Sequence, residues 1–406
     1  MSGRIRILNL IAQFPGQTGS GTYLNAILNE GLKKNYEMGL IGAIQNDQEF
    51  LRDDLSYLNL IQFDTGVIPF NIVGMSDNMP YNSTRYTDLT DEMYNIWRMN
   101  FKEAVLKAME IFKPDIILTH HLWLLSSMIV ELKLNIPVYA FCHGTDIRQF
   151  LSVDRFQNYV KDNLKQLDGI FSLNNDQKNL IEELFNIEKH KIHVVGGGYN
   201  EDVFYPLENK EIHEVTKIVY AGKLSYAKGL KPLIKAFKEL KEEHHITLSI
   251  AGSGNGAEEE EIRKLGNIED IKFLGNLPQE VLADLFRESD IFVLPSYYEG
   301  LPLVVMEALA THLRIVVSNF SGLIDYIGDS LNNSGLIQYV QLPTSLILND
   351  LDEKEELKYK ENLKKALENQ IINHKVGYNN FAPFKSDILK FSWEGVFNSI
   401  EKIILF

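Results

Sequence analysis

The sequence has little cysteine, no long apolar runs and a deficit of positive charge. Its 406 residues include one cysteine, Cys142, which excludes an internal disulfide and fits a reducing, cytoplasmic compartment. No apolar segment approaches the roughly 20 residues of a membrane-spanning helix, and Arg4 and Arg6 interrupt the start, where a signal peptide would be apolar. The net charge of −15 argues against nucleic-acid binding. We therefore expect a soluble cytoplasmic protein, for which peripheral membrane contact stays open.

The chain does have enough apolar sequence for two cores, since 45% of its residues are hydrophobic. Short apolar runs alternate with helical patterns up to about residue 195, and the alternation begins again at residue 217. Residues 199–215 between them are polar and acidic, as linkers are. This order predicts an α/β protein with two doubly wound parallel-sheet domains. We place them at residues 1–205 and 206–385, with a closing amphipathic helix at 386–406.

The most informative stretch is residues 289–322, whose pattern is that of a strand, a loop, a helix and a strand. Glu299 follows the predicted buried strand at residues 291–294, and Glu307 lies about one turn into the next helix. Both carboxylates are expected to face the crevice at the strand's carboxyl end, near free helix amides at Leu303 and Val304. This set suits a ligand with hydroxyls and phosphate. The alternative is a solvated loop charge and an acid favoured by the helix dipole.

Two lysines share the predicted loop after the strand at residues 217–221. Lys223 and Lys228 can both project over the same crevice, where their charges suit the polyanionic diphosphate of a nucleotide. The next loop carries Gly252 and Gly254. The alternative interpretation is that the lysines are solvated and only cap a turn.

In the first domain, Gly19, Ser20 and Gly21 are predicted to lie in a loop between a strand and a helix. A loop of this kind can bring backbone close to a phosphate or a sugar. It is not a Walker loop, because no lysine follows the glycines, and it lacks the third glycine of the dinucleotide fingerprint. Taken alone, the motif decides nothing.

Later strands of the first domain also end in polar residues, as strands that line a cleft do. These residues are His120, His121, Trp123, His143 and Asp146. For His143 we favour a hydrogen bond to a ligand, with a structural histidine as the alternative. A metal site is disfavoured because no carboxylate has ligand-like spacing to the histidines. Cys142 lies in an apolar run and is predicted to be a core residue rather than a nucleophile.

Residues 66–90 show no sustained period, which is unusual for so long a segment of a compact domain. We hypothesise that they line an acceptor site, and a plain surface excursion is the default alternative. The candidate acceptor residues are Asp77, Tyr81, Arg85, His120, His121, Trp123 and Asp146. Elsewhere, Asp350-Leu-Asp352 matches a D-x-D metal motif, but its charged surroundings favour a solvated helix.

Together these motifs resemble those of retaining glycosyltransferases of family 4, whose GT-B architecture has two Rossmann-like domains facing a central cleft. The resemblance spans nearly the whole chain, and the combination of motifs is highly specific. It is carried by Gly222-Lys223, Lys228-Gly229, Ala251-Gly-Ser-Gly254, Phe273-Leu-Gly275, Pro295-Ser296, Glu299-Gly-Leu-Pro-Leu, Glu307-Ala308, Gly19-Ser-Gly21 and His143-Gly144.

The resemblance implies a nucleoside-diphosphate sugar as co-substrate, a UDP-sugar before a GDP-sugar, and neither metal nor other cofactor. It implies transfer of the sugar with retention to a hydroxyl of a glycan, lipid-linked or small-molecule acceptor. The implied catalytic residues are His143, Glu299, Lys228 and Lys223; the lysines would hold the diphosphate, and Glu299 and His143 the donor sugar. Glu307 would hold the ribose. The other implied donor-binding residues are Gly19, Ser20, Gly21, Gly252, Gly254, Gly300, Leu303 and Val304.

Three positions depart from the family pattern. Lys223 stands where arginine is more frequent, which exchanges a bidentate fork for a point charge. Thr311-His312 and Ser321-Gly322 replace more usual glycine-containing pairs. A nucleotide-sugar epimerase or phosphorylase on the same fold, and a non-catalytic nucleotide-sugar-binding protein, remain the competing interpretations.

Overall fold

The computed structural model describes residues 4–16, 18–208, 210, 214–343, 353–377 and 380–405. The chain divides into two compact units, Met1–Gly197 together with Val396–Phe406, and Gly198–Gly395. The first unit therefore ends at Gly197 instead of residue 205, and the last residues of the chain belong to it. The D-x-D pattern at Asp350-Leu-Asp352 lies outside the described residues.

The first unit is a parallel sheet with helices on its faces. Its strands are β1 (Arg6–Ile11), β2 (Glu37–Ile44), β3 (Tyr57–Gln62), β4 (Val73–Gly74), β5 (Thr84–Arg85), β6 (Ile116–His120), β7 (Val138–Phe141), β8 (Gly169–Ser172) and β9 (Ile192–Val194). Its helices are α1 (Gly19–Lys33), α2 (Asp91–Ile111), α3 (Leu124–Glu131), α4 (Thr145–Ser152), α5 (Gln157–Leu164) and α6 (Asn175–Phe185). The seven-stranded sheet has the order β3-β2-β1-β6-β7-β8-β9. Its central strands are buried, which explains their continuous apolar sequence.

The glycine motif of the first unit is helical, whereas the sequence predicted a loop. Helix α1 begins at Gly19 because the Thr18 side chain caps it and accepts a hydrogen bond from the Gly21 amide at 3.1 Å. The two glycines and the serine between them therefore form the first helical turn, whose amides have no acceptor within the helix.

Residues 66–90 contain more structure than their sequence indicated. Strands β4 and β5 form a short parallel pair. Buried side chains from elsewhere in the unit hold the segment: the Gln45 amide oxygen accepts from the Ile72 amide at 2.7 Å, and Gln149 donates to the Met75 carbonyl at 3.2 Å. Contacts distant in sequence, rather than a local period, shape this segment.

The second unit repeats the α/β plan. Its strands are β10 (Thr216–Ala221), β11 (Ile246–Ala251), β12 (Ile271–Gly275), β13 (Ile291–Leu294), β14 (Arg314–Ser318) and β15 (Ile337–Val340). Its helices are α7 (Leu230–Leu240), α8 (Gly256–Leu265), α9 (Gln279–Glu288), α10 (Leu303–Ala310), α11 (Ser321–Ile327), α12 (Asp329–Asn332), α13 (Glu353–Lys375) and α14 (Lys385–Leu389). The parallel sheet has the order β12-β11-β10-β13-β14-β15. The predicted strand at residues 291–294 is confirmed.

For two helices near the end of the chain, the structure differs from the sequence prediction or adds to it. Helix α13 was expected to be solvated, but one face of it is buried, with Tyr359, Leu363, Leu367 and Ile371 no more than 1% exposed. The last helix, α15 (Trp393–Ile404), begins in the second unit and continues in the first.

In the part of the chain that the structure describes, no helix combines the length and the apolar character needed to cross a bilayer.

Candidate active site

In the second unit the chain switches direction across the sheet between β10 and β13, which pair side by side. The connections from such neighbouring strands diverge and open a crevice at the carboxyl edge of the sheet. Lys223 and Lys228 lie in the connection after β10, and Glu299 lies in the connection after β13. The topology therefore places the three charged residues in the two connections that border this crevice.

An ion pair joins these two connections. The Lys228 ammonium lies 2.7 Å from Glu299 Oε1, and the Ser296 hydroxyl donates to the same oxygen at 2.8 Å. Ser296 is fully buried, and the two charged side chains are 26% and 16% exposed. Glu299 is thus held in a defined orientation by two donors and is not a freely solvated loop charge.

A glycine allows the two connections to approach closely. Gly229 has a left-handed backbone with φ of +69°, and a Cβ there would lie 1.9 Å from the Pro295 carbonyl oxygen. On the other side of the same contact, the Tyr297 amide donates to the Ala227 carbonyl at 2.9 Å. A side chain at residue 229 would force the lysine loop away from Glu299.

The connections after β10 and β11 are interlocked in the same way. The Gly222 amide donates to the Ala251 carbonyl at 3.0 Å, and a Cβ on Gly252 would lie 1.9 Å from the Gly222 carbonyl oxygen. An open pocket of about 390 Å³ lies at this edge. Lys223, Gly252 and Asn276 are among its lining residues, and Lys223 is exposed.

Glu307 lies in helix α10, and Leu303 and Val304 form the start of that helix. Its side chain is half-buried and, among the described residues, has no hydrogen-bond or ion-pair partner. Burial disfavours the charged form and raises the pKa of Glu307 to about 7. A half-buried carboxyl group without a protein partner is suited to accept hydrogen bonds from a ligand.

Helix α8 supports the lysine loop through contacts that the sequence did not predict. Its Glu258 carboxylate accepts from the Tyr226 amide, and Glu261 accepts from the Tyr226 hydroxyl. Glu259 accepts from the Gly254 amide at 3.1 Å. Acidic residues at a helix start are favoured by the helix dipole, and in α8 they also accept hydrogen bonds from two neighbouring loops.

The first unit has its own switch point, between β1 and β6. The Gly19–Gly21 turn follows β1, and buried Gln13 lies between that strand and the turn. The Gln13 side-chain amide donates to the Thr18 hydroxyl at 3.0 Å and to the Ser20 hydroxyl at 2.9 Å. Gln13 therefore fixes the capped turn, a role for which the sequence gave no signal.

Three histidines cluster after β6 and β7. The His120 and His143 rings are nearly parallel, 5.3 Å apart, with His120 Nδ1 3.1 Å from His143 Nε2. The His121 ring lies 4.9 Å from that of His143. Burial and then the neighbouring imidazoles hold the pKa values of His120 and His143 well below the usual range. Both rings are therefore neutral at physiological pH, and His143, which is half-buried, is the more accessible of the two.

Four residues of the predicted acceptor set are buried, namely His120 and His121 of the histidine cluster, and Asp146 and Trp123. Asp146 is fully buried and accepts hydrogen bonds from the Leu122 amide at 2.9 Å and the His143 amide at 3.1 Å. Trp123 is 1% exposed, and Phe150 packs edge-on against its ring. In this conformation neither side chain is available to an acceptor. The predicted core position of Cys142 is confirmed by its burial, which raises the pKa of its thiol well above the usual value.

The candidates in the 66–90 segment lie nearer the surface. Asp77 and Arg85 are exposed; Arg148 lies 3.4 Å from Asp77, and Arg85 pairs with Asp88 at 2.8 Å. Tyr81 is half-buried with its ring against Phe14. Their placement leaves the acceptor hypothesis as a prediction.

Within the described ranges, no group of three or more His, Cys, Asp or Glu side chains is arranged to hold a metal ion. The three clustered histidines contact one another through their imidazole rings, with His143 between His120 and His121.

Family models match both halves of the chain. The model described as Glycosyltransferase Family 4 matches residues 82–203, and the model described as Glycosyl transferases group 1 matches residues 205–382. An uncharacterised glycosyltransferase of Methanocaldococcus jannaschii is 27% identical over 288 residues, which cover 65% of this chain and 73% of that protein. A glycogen synthase of Mycobacterium tuberculosis is 27% identical over 223 residues, 52% of this chain and 54% of the relative. The chain thus spans only about half the length of that relative.

Solved structures share the fold at low sequence identity. A sucrose-phosphate synthase from Thermosynechococcus elongatus has a TM-score of 0.68 at 14% identity and covers 98% of both chains. An Anabaena protein solved in complex with UDP and glucose has a TM-score of 0.60 at 13% identity, over 99% of this chain and 100% of that chain. Because the two family matches fall on two parallel-sheet units of this architecture, the chain belongs to glycosyltransferase family 4 and has the GT-B fold.

Proposed function

We propose that this glycosyltransferase moves a sugar from a nucleoside-diphosphate sugar to an acceptor hydroxyl, with retention of configuration and without a metal ion. The observation that carries the proposal is the Lys228–Glu299 ion pair at the switch point of the second sheet. Lys223 shares the loop of Lys228, so two cations and a carboxylate are available to one ligand. A diphosphate linked to a sugar offers the matching charge and hydroxyl groups.

The lysines have the role of stabilising the departing diphosphate. One ammonium group about 4 Å from a phosphate oxygen contributes roughly 4 kcal/mol at an effective dielectric constant near 20. Lys228 already donates to Glu299, but an ammonium group has three N–H donors and can contact a phosphate as well. Two such contacts take over the charge compensation that a divalent metal supplies in other enzymes.

We assign the remaining parts of the donor to the two carboxylates and to the open pocket. We assign the sugar hydroxyls to Glu299, which Ser296 and Lys228 hold in place, and the ribose hydroxyls to half-buried Glu307. The nucleotide base is assigned to the pocket lined by Gly252 and Asn276. UDP is the first nucleotide to test, because the Anabaena protein of the same fold was solved with UDP.

The transfer step requires no covalent enzyme intermediate. The bond between the anomeric carbon and the β-phosphate oxygen breaks, the acceptor oxygen bonds to that carbon on the same face, and the acceptor proton passes to the departing phosphate. A neutral His143 ring can hydrogen-bond the donor sugar, since a neutral imidazole has one donor and one acceptor nitrogen. The first helical turn from Gly19 to Gly21 is assigned to an anionic group of donor or acceptor, through the amides of Gly19 and Ser20, because the Gly21 amide already donates to Thr18. The surface residues Asp77, Tyr81 and Arg85 remain the proposed acceptor contacts.

The acceptor belongs to glycan, glycolipid or glycosylated-metabolite synthesis in this proposal. We place the reaction in the cytoplasm, because a buried free cysteine persists in a reducing compartment.

The test is turnover of Glu299→Gln and Lys228→Ala with UDP-sugars and a panel of hydroxyl acceptors. Each variant should lose at least about tenfold in kcat, or about 1.4 kcal/mol of transition-state stabilisation. Lys235→Gln is the matched control, because Lys235 lies on α7 and pairs with Glu356. Wild-type rates in both test variants would contradict the assigned roles.

The same assay separates the competing reactions. The anomeric configuration of the product, read by NMR, tests retention, and full activity in excess chelator tests metal independence. An epimerase would convert the donor without an acceptor, a phosphorylase would require inorganic phosphate, and a binding protein would take up donor without turnover. Each of these three outcomes would contradict the proposed sugar transfer.

A further inference from the structure

A pocket that we do not assign to the donor lies between α7 and α8 of the second unit. Its volume is about 370 Å³, and three lysines line it, Lys231, Lys238 and Lys264. Ile262, which is 1% exposed, and Leu265 contribute an apolar surface to the same pocket. The lining therefore combines positive charge with a patch that can accept a carbon skeleton.

The pocket lysines differ from their neighbours in having no acidic partner among the described residues. Lys235 on the same helix pairs with Glu356 at 3.1 Å, whereas Lys231 lies over the Tyr226 ring, 5.4 Å from its centroid. The lining includes the Glu261 carboxylate, which accepts from the Tyr226 hydroxyl. With three lysines and one glutamate, the lining residues carry a net positive charge in a chain of net charge −15.

We propose that this pocket binds the phosphomonoester of a small molecule with an apolar or aromatic body. A phosphomonoester carries a charge of about −1.5 to −2 at pH 7, which offsets the unpaired ammonium groups. Lysine binds phosphate as a point charge and lacks the bidentate fork of an arginine guanidinium. Three lysines around one pocket can therefore bind a phosphate without a fixed hydrogen-bond geometry. The apolar body packs on Ile262 and Leu265, which inorganic phosphate cannot do.

The position of the pocket connects it to the proposed donor site. Tyr226 lines the pocket and lies in the loop that carries Lys223 and Lys228, and α8 holds Tyr226 through Glu258 and Glu261. A ligand that contacts α8 at this point therefore acts on the lysine loop. This coupling rests on the proposed function, whereas the binding itself does not.

The experiment titrates the full chain with phenyl phosphate, inorganic phosphate and phenol by calorimetry. Phenyl phosphate should bind more tightly than either fragment. The triple variant Lys231→Gln/Lys238→Gln/Lys264→Gln should weaken its binding at least about tenfold. Lys235→Gln, on the same helix, should retain binding, and so should Lys228→Ala, which separates this pocket from the donor site. An unchanged melting temperature of the triple variant checks its folding.

Several results would overturn the proposal. Undetectable phenyl phosphate binding would do so, as would binding unaffected by the triple variant or lost in Lys228→Ala. Lysine-dependent binding of phosphatidylcholine vesicles with phosphatidic acid, without binding of phenyl phosphate, would assign the pocket to a lipid surface. A donor affinity that is the same with the pocket filled or empty would remove the coupling, while failure of sugar transfer alone would leave the binding site intact.

Discussion

Glu307 shows how burial of one residue can link ligand binding to pH. Its pKa of about 7 means that roughly half of the carboxyl groups are protonated at neutral pH. The folded-state pKa lies above the ordinary value of 4.5, so the folded chain binds more protons than the unfolded chain between these pH values. Glu307 therefore lowers the stability of the fold as pH rises through this window. A ligand that donates hydrogen bonds to the ionised carboxylate restores part of the stability that is lost.

We expect binding of a UDP-sugar, whose diphosphate has no proton that titrates near neutrality, to release protons near pH 7. Ribose hydroxyls that donate to the ionised Glu307 carboxylate stabilise the charged form and lower its pKa, so up to about half a proton leaves per nucleotide bound. The release is measured from calorimetric binding enthalpies in buffers of different ionisation enthalpy at pH 7. Glu307→Gln, which keeps the shape of the side chain, should remove the buffer dependence. A wild-type enthalpy independent of buffer would contradict the contact.

The charged residues of the candidate site could be predicted from sequence better than the residues that hold them. Lys228 and Glu299 were predicted to share a crevice because each follows a parallel strand, and the structure brings them to 2.7 Å. Ser296 was noted only as part of the family motif, and its hydrogen bond to Glu299 was not predicted, because a serine near a turn has many uses. Trp123 was predicted to contact the acceptor but is 1% exposed, and strand order alone does not reveal the aromatic side chains that cover it.

At the scale of elements, strands were easier to predict than the first turns of helices. The apolar runs at residues 291–294 and 217–221 became β13 and β10 because burial on both sheet faces selects continuous apolar sequence. The start of α1 was missed because two glycines outweighed the Thr18 cap in the sequence pattern. The short β4–β5 pair was missed because its partners lie far apart in the chain.

The interlocked loops at the carboxyl edge of the second sheet predict different costs for two glycine substitutions. Gly252→Ala places a Cβ 1.9 Å from the Gly222 carbonyl at a φ of +129°, whereas Gly256→Ala meets no atom within 4 Å at a φ of +66°. Gly256→Ala should cost about 1–2 kcal/mol of unfolding free energy, the strain of a left-handed residue. Gly252→Ala should cost clearly more and weaken nucleotide binding. Urea unfolding gives both values, and equal losses would contradict the close approach.

At the scale of the whole molecule, the chain ends by returning to the unit in which it began. Helix α15 begins in the second unit, where the Trp393 amide donates to the Tyr199 carbonyl at 3.0 Å, and its later residues belong to the first unit. There the Glu401 carboxylate lies 2.5 Å from the Lys34 ammonium and accepts from the Tyr36 hydroxyl. Both ends of the helix are thus tied down by specific contacts, each within its own unit.

Glu401→Gln should loosen the end of α15 in a pH-dependent way. Burial raises the pKa of Glu401, but the hydrogen bonds from Lys34 and Tyr36 lower it by more, so the pKa of the folded state lies below the ordinary value. Ionised Glu401 therefore stabilises the fold at neutral pH, and this contribution is lost as the pH falls through the folded-state pKa. Burial and the bond to Glu401 raise the pKa of Tyr36 to about 12, so its effect is lost as pH rises through that value. At pH 7 the variant should lose up to about 1 kcal/mol in urea unfolding, and the difference from wild type should vanish in acid. Lys402→Gln, an exposed neighbour, is the control, and an equal loss in it or a pH-independent loss in Glu401→Gln would contradict this account.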